Sequence, residues 1–272
     1  MTAQYPVRQQ PGLDIDRLAA DISALGLRKG RDVLVHCAMA EIGWIDGDAR
    51  SLLAAIRRAA GLRSTIVVPT HTTINSPTSR AFKTATEGMS PQQVSRFAKQ
   101  LKGFDSADPT VETGRLAEYL LRRRDSKRSP HPLVSSAAVG PRAAELMAIH
   151  DLECHHGERS PMGALYAVDA SILLLGVGYD KCSAIHLAEY RLARPPPVRE
   201  YHCWIATRSR SKPKTFTGID LNDGDFGNLG RDFDSAMGTR WGMVGGAVSC
   251  AVPIRDLVDF AVGWLTDHRP QS

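Results

Sequence analysis

Residues 170–177 (ASILLLGV) form the clearest predicted strand of this 272-residue chain. Their apolar side chains follow one another without alternation, which is typical of a strand covered on both faces inside a parallel sheet. The segment that follows, residues 182–193 (CSAIHLAEYRLA), predicts a helix that ends before the prolines at positions 195–197. A buried strand that leads directly into a helix is the basic unit of a layered α/β protein.

The same alternation of strand and helix is predicted in the N-terminal half. Short buried strands at residues 33–35 and 64–69 are separated by a predicted helix at 46–60, and an amphipathic helix is predicted at 14–25. The remaining predicted elements are helices at 91–101, 114–124, 141–150 and 255–265, a short strand or turn at 134–140, and strands at 201–207 and 243–252. We expect one continuous domain over residues 1–272, with residues 73–110 as a lid or long loop.

The composition is that of an ordinary globular protein, with 43% hydrophobic and 23% charged residues. The net charge of +5 is spread along the chain, and such a mild excess suits an anionic small ligand as well as it suits nucleic acid. Aromatic residues make up 6% of the chain and do not interleave with the basic run at 122–128. Because single-stranded nucleic acids stack on such interleaved rings, no nucleic-acid partner is expected.

Cysteine spacing and hydropathy favour a cytoplasmic protein. The five cysteines are odd in number and scattered, without a C-x-x-C pair, so neither a disulfide framework nor a zinc site is indicated. The most apolar run, residues 171–177, is far shorter than the roughly 20 residues that a membrane span needs. We therefore expect a cytoplasmic location and no membrane partner.

Common nucleotide- and metal-binding motifs are absent from the sequence. There is no G-x-x-x-x-G-K-[ST] phosphate loop, no G-x-S-x-G elbow and no H-E-x-x-H zinc motif. Gly176-Val177-Gly178 follows a strand, but Lys181 stands where a dinucleotide-binding G-x-G-x-x-G requires glycine. Residues 220–225 resemble a calcium loop only superficially, because the closing glutamate is missing. We expect no metal cofactor.

The sharpest chemical pattern is His186-Leu187-Ala188-Glu189, in the helix after the clearest strand. Residues three apart share one helix face, so Glu189 can hold His186 in one tautomer and stabilise the imidazolium that forms when the ring takes a proton. Such a pair suits a general base. Two other interpretations stay open, namely a surface histidine beside a carboxylate and a metal pair with His155-His156.

A basic loop at residues 127–132 (KRSPHP) has Ser135 and Ser136 just beyond it. Cations and hydroxyls in a proline-fixed loop can hold phosphate groups. Basic residues in this position equally suit the solvated C-terminus of a helix.

An acidic stretch contrasts with the positive net charge. Five aspartates fall within fifteen residues, at Asp220, Asp223, Asp225, Asp232 and Asp234. Concentrated carboxylates can attract a polycationic ligand. The alternative is a polar loop in which aspartates form turns.

The order of the motifs along the chain is more specific than any one of them. The ordered set is 35–39 (VHCAM) with Gly43, 68–72 (VPTHT), 114–118 (GRLAE), 128–132 (RSPHP) with 135–140 (SSAAVG), 157–161 (GERSP), and 174–178 (LLGVG) leading to 186–189 (HLAE). Together these motifs resemble the aminoglycoside N(3)-acetyltransferase family over roughly residues 14–266.

The resemblance implies a three-layer α/β/α fold with a mixed central sheet, and an enzyme that acetylates the 3-amino group of a 2-deoxystreptamine aminoglycoside from acetyl-CoA. It implies that His186 is the general base and that Glu189 orients it. Because the chain has this histidine–carboxylate pair and an acidic stretch but no cysteine in a recognisable activated setting, we expect the amine to attack directly in a ternary complex without an acyl-enzyme. The implied acetyl-CoA contacts are His36, Cys37, Ala38, Met39, Thr70, Thr72, Arg128, Ser129, His131 and Ser135. From the acidic stretch we expect Asp220, Asp223 and Asp225 to contact the cationic acceptor.

Three residues depart from the family pattern. Ala38 stands where serine is common, Ser183 stands where threonine is common, and His71 replaces an apolar or amide residue. These departures bear on hydroxyl contacts to the cofactor and on the identity of the acceptor. The alternatives are a CoA-dependent N-acyltransferase for a non-antibiotic biosynthetic amine, a non-catalytic ligand-binding protein and, last, a basic RNA-binding module. We expect a monomer or a homodimer.

Overall fold

The computed structural model describes residues 12–109, 111–208 and 211–269. Residues 1–11, Thr110, residues 209–210 and residues 270–272, over which the predicted domain and the predicted lid extend, lie outside the described residues. The strands are β1 (Val33–Cys37), β2 (Ile66–Pro69), β3 (Lys127–Arg128), β4 (Ser136–Val139), β5 (Ser171–Leu175), β6 (Val198–Ala206), β7 (Ser211–Ile219), β8 (Trp241–Val244) and β9 (Ala247–Pro253).

The helices are α1 (Ile15–Ala24), α2 (Met39–Ile42), α3 (Asp48–Ala60), α4 (Arg80–Ala85), α5 (Pro91–Gln100), α6 (Arg115–Leu121), α7 (Ala143–Met147), α8 (Pro161–Ala167), α9 (His186–Arg191), α10 (Phe226–Met237) and α11 (Ile254–His268). Among the described residues, no helix is both long and apolar enough to span a membrane.

One mixed sheet contains seven strands in the order β3-β4-β2-β1-β5-β9-β8. The central strands β2, β1 and β5 run parallel to one another. The outer strands β4 and β3 on one side, and β9 and β8 on the other, pair antiparallel with their neighbours. Strands β6 and β7 pair with each other in a second, two-stranded sheet.

Helices cover both faces of the seven-stranded sheet. Because successive side chains of a strand point to opposite faces, the continuous apolar run of β1 supplies Val33 and Val35 to one face and Leu34 to the other. Helices α1, α2, α3 and α6 pack on the first face. Helices α7 to α11 pack on the second. The predicted three-layer α/β/α fold with a mixed central sheet is confirmed.

Local signals explain where two of the helices begin and end. The Asp14 side chain accepts a hydrogen bond from the Arg17 N–H at 2.8 Å and caps α1, whose buried face carries Leu18 and Ile22. Helix α3 ends at Gly61, where φ is 101°, a backbone conformation that side chains with a Cβ rarely adopt. Both termini fall within two residues of the predicted positions.

Several predicted element boundaries are wrong. The predicted strand at 243–252 is two strands, β8 and β9, joined by a turn at Gly245-Gly246. The predicted strand at 201–207 begins at Val198 and pairs with β7, which was not predicted. The acidic stretch at 220–234 contains most of α10 rather than only loop. The predicted helix at 182–193 starts as a 3-10 turn at Ser183–Ile185 and becomes α-helical only at His186.

Residues 73–109, the described part of the predicted lid, carry more structure than the single helix expected. A 3-10 turn at Thr73–Asn75 precedes α4 and α5. The segment returns to the hairpin of β6 and β7, where the Phe104 N–H donates to the Trp204 carbonyl at 2.8 Å.

The parallel direction of β1, β2 and β5 brings their carboxyl ends to one edge of the sheet. In open α/β sheets this edge is where ligands bind. The loops that follow the three strands, at residues 38, 70–72 and 176–182, meet there.

Candidate active site

His186 lies at the start of α9, beyond the carboxyl end of β5. Its Nδ1 is 2.6 Å from Oε2 of Glu189, one helical turn farther along. Since a carboxylate only accepts hydrogen bonds, Nδ1 carries the proton and Nε2 is left as the basic nitrogen. The Glu189 side chain is fully buried, whereas 15% of the His186 side chain is exposed. The two residues that the sequence pattern paired are thus brought together, with the basic nitrogen on the accessible member.

The second carboxylate oxygen of Glu189 is also bound. It accepts a hydrogen bond from the backbone N–H of Asn222 at 3.0 Å and another from Nη1 of Arg269. The Arg269 guanidinium at the same time makes a bidentate contact to Asp225, at 2.6 and 2.7 Å. Sequence reasoning missed Arg269, because it lies 80 residues from Glu189 and belongs to no local motif.

Two more histidines extend from His186 into the protein. The His156 ring stacks on the His186 ring, with centroids 5.2 Å apart and planes 9° apart, and His71 lies 5.8 Å beyond. Burial lowers the pKa of His71 to about 4 and holds that of His156 well below its ordinary value. Both rings are therefore neutral near pH 7. Of these three histidines, only His186 has a carboxylate on its ring.

A separate group of buried histidines contains two of the predicted cofactor contacts. Ser129 and His131 are fully buried, and Ser129 Oγ lies 2.8 Å from Nδ1 of His150. The backbone N–H groups of Leu133 and Val134 donate to Nδ1 of His131, both at 3.2 Å. The structure therefore places Ser129 and His131 inside the protein, bonded to their own neighbours.

A cleft of about 430 Å³ opens at the carboxyl ends of the parallel strands, and we call it the donor cleft. His36 and Cys37 at the end of β1 line it, together with residues of α6. Burial lowers the pKa of His36 to about 3 and raises that of the Cys37 thiol to about 12. Ala38 donates its N–H to the Leu175 carbonyl at 2.9 Å. Met39, the first residue of α2, is buried in the core.

Four other predicted cofactor contacts form a polar network beside this cleft. Thr70 Oγ1 and Ser135 Oγ are 3.0 Å apart, and Arg128 Nε donates to the same Ser135 oxygen at 3.0 Å. Thr72 Oγ1 donates to the Pro132 carbonyl at 2.7 Å. Thr70 and Ser135 are fully buried, while Thr72 and Arg128 line a recess next to the donor cleft. Burial lowers the pKa of Arg128 to about 10, so the group stays cationic at neutral pH.

A second, smaller pocket of about 170 Å³ contains His186, and we call it the histidine pocket. Three residues, His71, Lys181 and Ser183, line both this pocket and the donor cleft, so the two adjoin. Asp180 and Asp223 are exposed and stand in the wall of the histidine pocket. Sequence reasoning missed Asp180, which follows the Gly176-Val177-Gly178 turn after β5.

Two of the three aspartates predicted to contact the acceptor, Asp220 and Asp225, line a surface cleft of about 530 Å³ together with Arg269. Asp220 pairs with Arg199 at 2.9 Å, and Asp225 pairs with Arg269 at 2.6 Å. Only Asp223 lines the pocket that contains His186. The acidic stretch is therefore not one continuous anionic surface.

The metal interpretation of the histidines has no geometric support in the part of the chain that the structure describes. His155 contacts the ring of Tyr201, at a centroid distance of 4.3 Å, and both of its ring nitrogens lack a hydrogen-bond partner. Within the described residues, no group of three or more histidine, cysteine or acidic side chains is arranged to hold a metal ion.

The three-layer α/β/α fold has a histidine–carboxylate pair at the smaller of two adjoining pockets. Such an arrangement suits an enzyme that brings two substrates together. Residues 34–266 match the model of the aminoglycoside 3-N-acetyltransferase family. The chain belongs to this family, and it is an acyltransferase, as the ordered motifs predicted.

Known relatives span nearly the whole chain. Aminoglycoside N(3)-acetyltransferase VII of Streptomyces paromomycinus is 32% identical over 271 residues, which cover 92% of this chain and 91% of the relative. The crystal structure of the YokD protein from Bacillus subtilis is 27% identical and superposes with a TM-score of 0.84 over 95% of this chain and all of that one. A structure of AAC-VIa bound to sisomicin is 25% identical, with a TM-score of 0.79 over 96% of this chain and all of that one.

Proposed function

We propose that this enzyme transfers the acetyl group of acetyl-CoA to the 3-amino group of a 2-deoxystreptamine aminoglycoside, by direct attack within a ternary complex. The observation that carries the proposal is the position of the His186–Glu189 pair, whose basic nitrogen is on the histidine that lines one of two adjoining pockets. An amine in the histidine pocket and a thioester in the donor cleft meet at the shared residues His71, Lys181 and Ser183.

His186 acts as the general base. An acceptor that binds as an ammonium first releases one proton to water. The nitrogen of the neutral amine then bonds to the thioester carbonyl carbon, Nε2 takes the proton that this nitrogen loses, and the carbon–sulfur bond breaks. The proton then passes to the departing CoA thiolate. Glu189 holds the ring through Nδ1 and balances the charge of the imidazolium, which is the role of the third group in catalytic triads. Ser183, which lines both pockets, offers its hydroxyl as a donor for the oxyanion that develops.

Acetyl-CoA occupies the donor cleft in this proposal. His36 and Cys37 contact it directly from the end of β1, and Thr72 and Arg128 border the recess beside it. The buried Thr70, Ser129, His131 and Ser135 act from behind by fixing the loops that form these walls. Because the thioester is already activated, the protein's task is to align the two reactants.

The acceptor occupies the histidine pocket. Asp180, which pairs with Lys181 at 2.9 Å, and Asp223, which lies 3.8 Å from Arg80, place carboxylates on its wall. An acceptor with several ammonium groups can compete with these exposed cations for the two carboxylates. The sisomicin complex of the related AAC-VIa supports an aminoglycoside as acceptor. The pocket holds only part of such a molecule, so the remaining rings extend toward solvent.

The cysteine at the donor cleft supports direct transfer rather than an acyl-enzyme. Only the thiolate of a cysteine is a strong nucleophile. Burial raises the pKa of Cys37 to about 12, with the nearby Arg115 opposing the shift, so the thiol is protonated at neutral pH. Cys37 therefore contributes surface to the cleft and no covalent intermediate.

The test is a thiol-release assay with acetyl-CoA and a panel of aminoglycosides and other amines. The wild-type enzyme releases CoA only with an acceptor, and His186→Ala lowers kcat by about 10²- to 10⁴-fold while the KM for acetyl-CoA stays nearly constant. The matched control is His202→Ala, at an exposed position of the hairpin outside both pockets. Near-normal turnover by His186→Ala would refute the base assignment.

The same assay separates the alternatives. Turnover with simple biosynthetic amines but not with aminoglycosides would identify a different N-acyltransferase. Thermal stabilisation by acetyl-CoA without thiol release for any amine would identify a ligand-binding protein.

A further inference from the structure

Arg269, just after the end of α11, is bound to both acidic groups behind the histidine pocket. Nη1 donates to Glu189, Nε and Nη2 donate to the two oxygens of Asp225, and Nη2 also donates to the Asn222 carbonyl at 2.6 Å. Only 18% of the Arg269 side chain is exposed. The guanidinium lies three residues beyond the segment matched by the family model, which ends at residue 266.

This arrangement balances charge around a carboxylate that water does not reach. Glu189 and Asp225 carry two negative charges, and Arg269 carries one positive charge between them. When His186 takes a proton, the four groups together become neutral. A buried carboxylate stays ionised only when a cation and hydrogen bonds replace its lost hydration. Arg269 supplies the cation, and the Asn222 N–H supplies a further hydrogen bond.

Loss of the guanidinium would change the tautomer of His186. Without the guanidinium, Glu189 keeps only the Asn222 N–H and the His186 ring as partners, and a fully buried carboxyl group that has lost its cation favours the neutral form. A protonated Glu189 donates its O–H to Nδ1 of His186. The imidazole then carries its hydrogen on Nε2, the nitrogen that has to accept the proton of the amine.

We propose that Arg269 is a positioning residue of the acetyl transfer, which keeps Glu189 an ionised acceptor and thereby holds His186 in its basic tautomer. This inference rests on the proposed role of His186 as general base. Arg269 contacts Glu189 on the oxygen that His186 does not use, and it acts on His186 through this carboxylate.

Other titratable groups face the pair and are common to all the variants below. Around His186 they are the neutral rings of His156 and His71, and the charged Asp180, Lys181 and Asp223 of the histidine pocket. The hydrogen bonds of the Arg269 guanidinium go to Glu189, Asp225 and the Asn222 carbonyl, and not to any of these groups. A change in pH dependence that appears only on removing Arg269 therefore reports its contacts to Glu189 and Asp225.

The experiment compares Arg269→Ala, Arg269→Lys and the control Arg255→Ala. Arg255 lies in the first turn of α11, at the end opposite to Arg269, and binds the Tyr166 and Ala167 carbonyls. For Arg269→Ala we expect kcat to fall about 10- to 100-fold, the range seen when a group that orients a reacting ligand is removed. The KM for acetyl-CoA stays within about twofold, and the acidic limb of the kcat profile moves upward by about one pH unit.

Rescue distinguishes positioning from a structural role. Arg269→Lys keeps the charge but loses the bidentate fork, so its pH profile stays close to that of the wild type and its kcat is intermediate. Added ethylguanidinium raises the kcat of Arg269→Ala, whereas potassium chloride of equal ionic strength does not. If Arg269→Ala does not fold, the dependence of kcat on pH is measured for Arg269→Gln instead, and the same upward movement of its acidic limb is expected.

Three results would overturn the inference. They are a wild-type kcat and pH profile for Arg269→Ala or Arg269→Gln, an equal loss of kcat at every pH without rescue by ethylguanidinium, and an identical loss in Arg255→Ala. Failure of the proposed function has a different signature, because His186→Ala itself would then keep normal turnover.

Discussion

The guanidinium of Arg128 donates to the Thr70 carbonyl at the end of β2, over 3.0 Å. Its other terminal nitrogen donates to the carbonyls of Asp108 at 2.8 Å and Asp105 at 3.2 Å. The same group lies over the Phe104 ring, 4.8 Å from its centroid. One side chain thus connects the end of the 73–109 segment to the sheet, beside the donor cleft.

Arg128→Met is expected to lower the free energy of unfolding by about 2 kcal/mol, because carbonyl groups lose their donor in a partly buried setting. It also speeds proteolysis within residues 73–109. Urea denaturation and limited proteolysis measure the two effects. The control is Arg123→Met, which removes a partly exposed ion pair with Asp125 and a contact to Tyr119 but leaves the 73–109 segment in place. A raised, salt-dependent KM for acetyl-CoA with unchanged stability would instead indicate a direct phosphate contact.

Asp223→Asn and Asp180→Asn are expected to raise the KM for an aminoglycoside by about 3- to 5-fold each, the effect of one exposed ion pair. The effect diminishes at high salt, because exposed charges are screened. Initial rates at two ionic strengths measure it. Asp220→Asn is the matched control, since Asp220 is likewise in an exposed ion pair, with Arg199, but lies outside the histidine pocket. A change in the KM for acetyl-CoA alone would place the two aspartates with the wrong substrate.

Cys37 is expected to resist alkylation in the folded enzyme. With burial raising its pKa to about 12, the thiolate is about 10³-fold rarer near neutral pH than in an ordinary cysteine. Iodoacetamide labelling followed by mass spectrometry, in native and denaturing buffer, measures the difference. Cys37→Ala keeps kcat within about threefold, since no covalent step depends on the thiol. An acetyl group trapped on Cys37 in the absence of acceptor would contradict this prediction.

As the pH falls, the protein is expected to begin losing stability at a higher pH than the titration of its carboxylates alone would cause. Burial lowers the pKa of His36 and His155 to about 3, and that of His71 and His150 to about 4. The unfolded chain binds protons on these residues below about pH 6.5, whereas the folded protein does not. Their stabilisation is therefore complete above that pH and decreases as the pH falls toward 4.

Each such histidine reduces the free energy of unfolding by about 1.4 kcal/mol per pH unit in this window. Urea denaturation at a series of pH values between neutral and about 5 measures the slope. In His150→Gln the slope is smaller by about 1.4 kcal/mol per pH unit, which is the contribution of one proton. Above neutral pH the free energy of unfolding of both proteins does not change with pH. An unchanged slope in this variant would show that His150 is not neutral in the folded state.

The core strands could be predicted from sequence because they are buried on both faces. Strands β1, β2 and β5 are runs of apolar residues, and no tertiary contact is needed to recognise them. Strand β7 (SKPKTFTGI) has no such signal, since most of it is exposed and its buried Phe216 packs on Tyr201 of β6. Helix α10 was missed because its buried residues are diluted by glycines and aspartates.

The candidate site divides in the same way. His186 and Glu189 lie one helical turn apart, so helix geometry alone predicts their contact. Arg269 lies 80 residues after Glu189, and the packing of α11 against α9 brings the two side chains together. Arg128 has the residue type of a phosphate ligand, but sequence cannot show that backbone carbonyls surround it.

The sharing of only His71, Lys181 and Ser183 between the two pockets has a consequence for how the enzyme can evolve. On the proposed function, substitutions at Asp180, Asp223 or Phe226 change the shape and charge of the histidine pocket, where the amine binds. They leave unchanged the strand ends that line the donor cleft, where the thioester binds. The range of drugs that such an enzyme inactivates can therefore widen through single mutations, while its donor and its chemistry stay as they are.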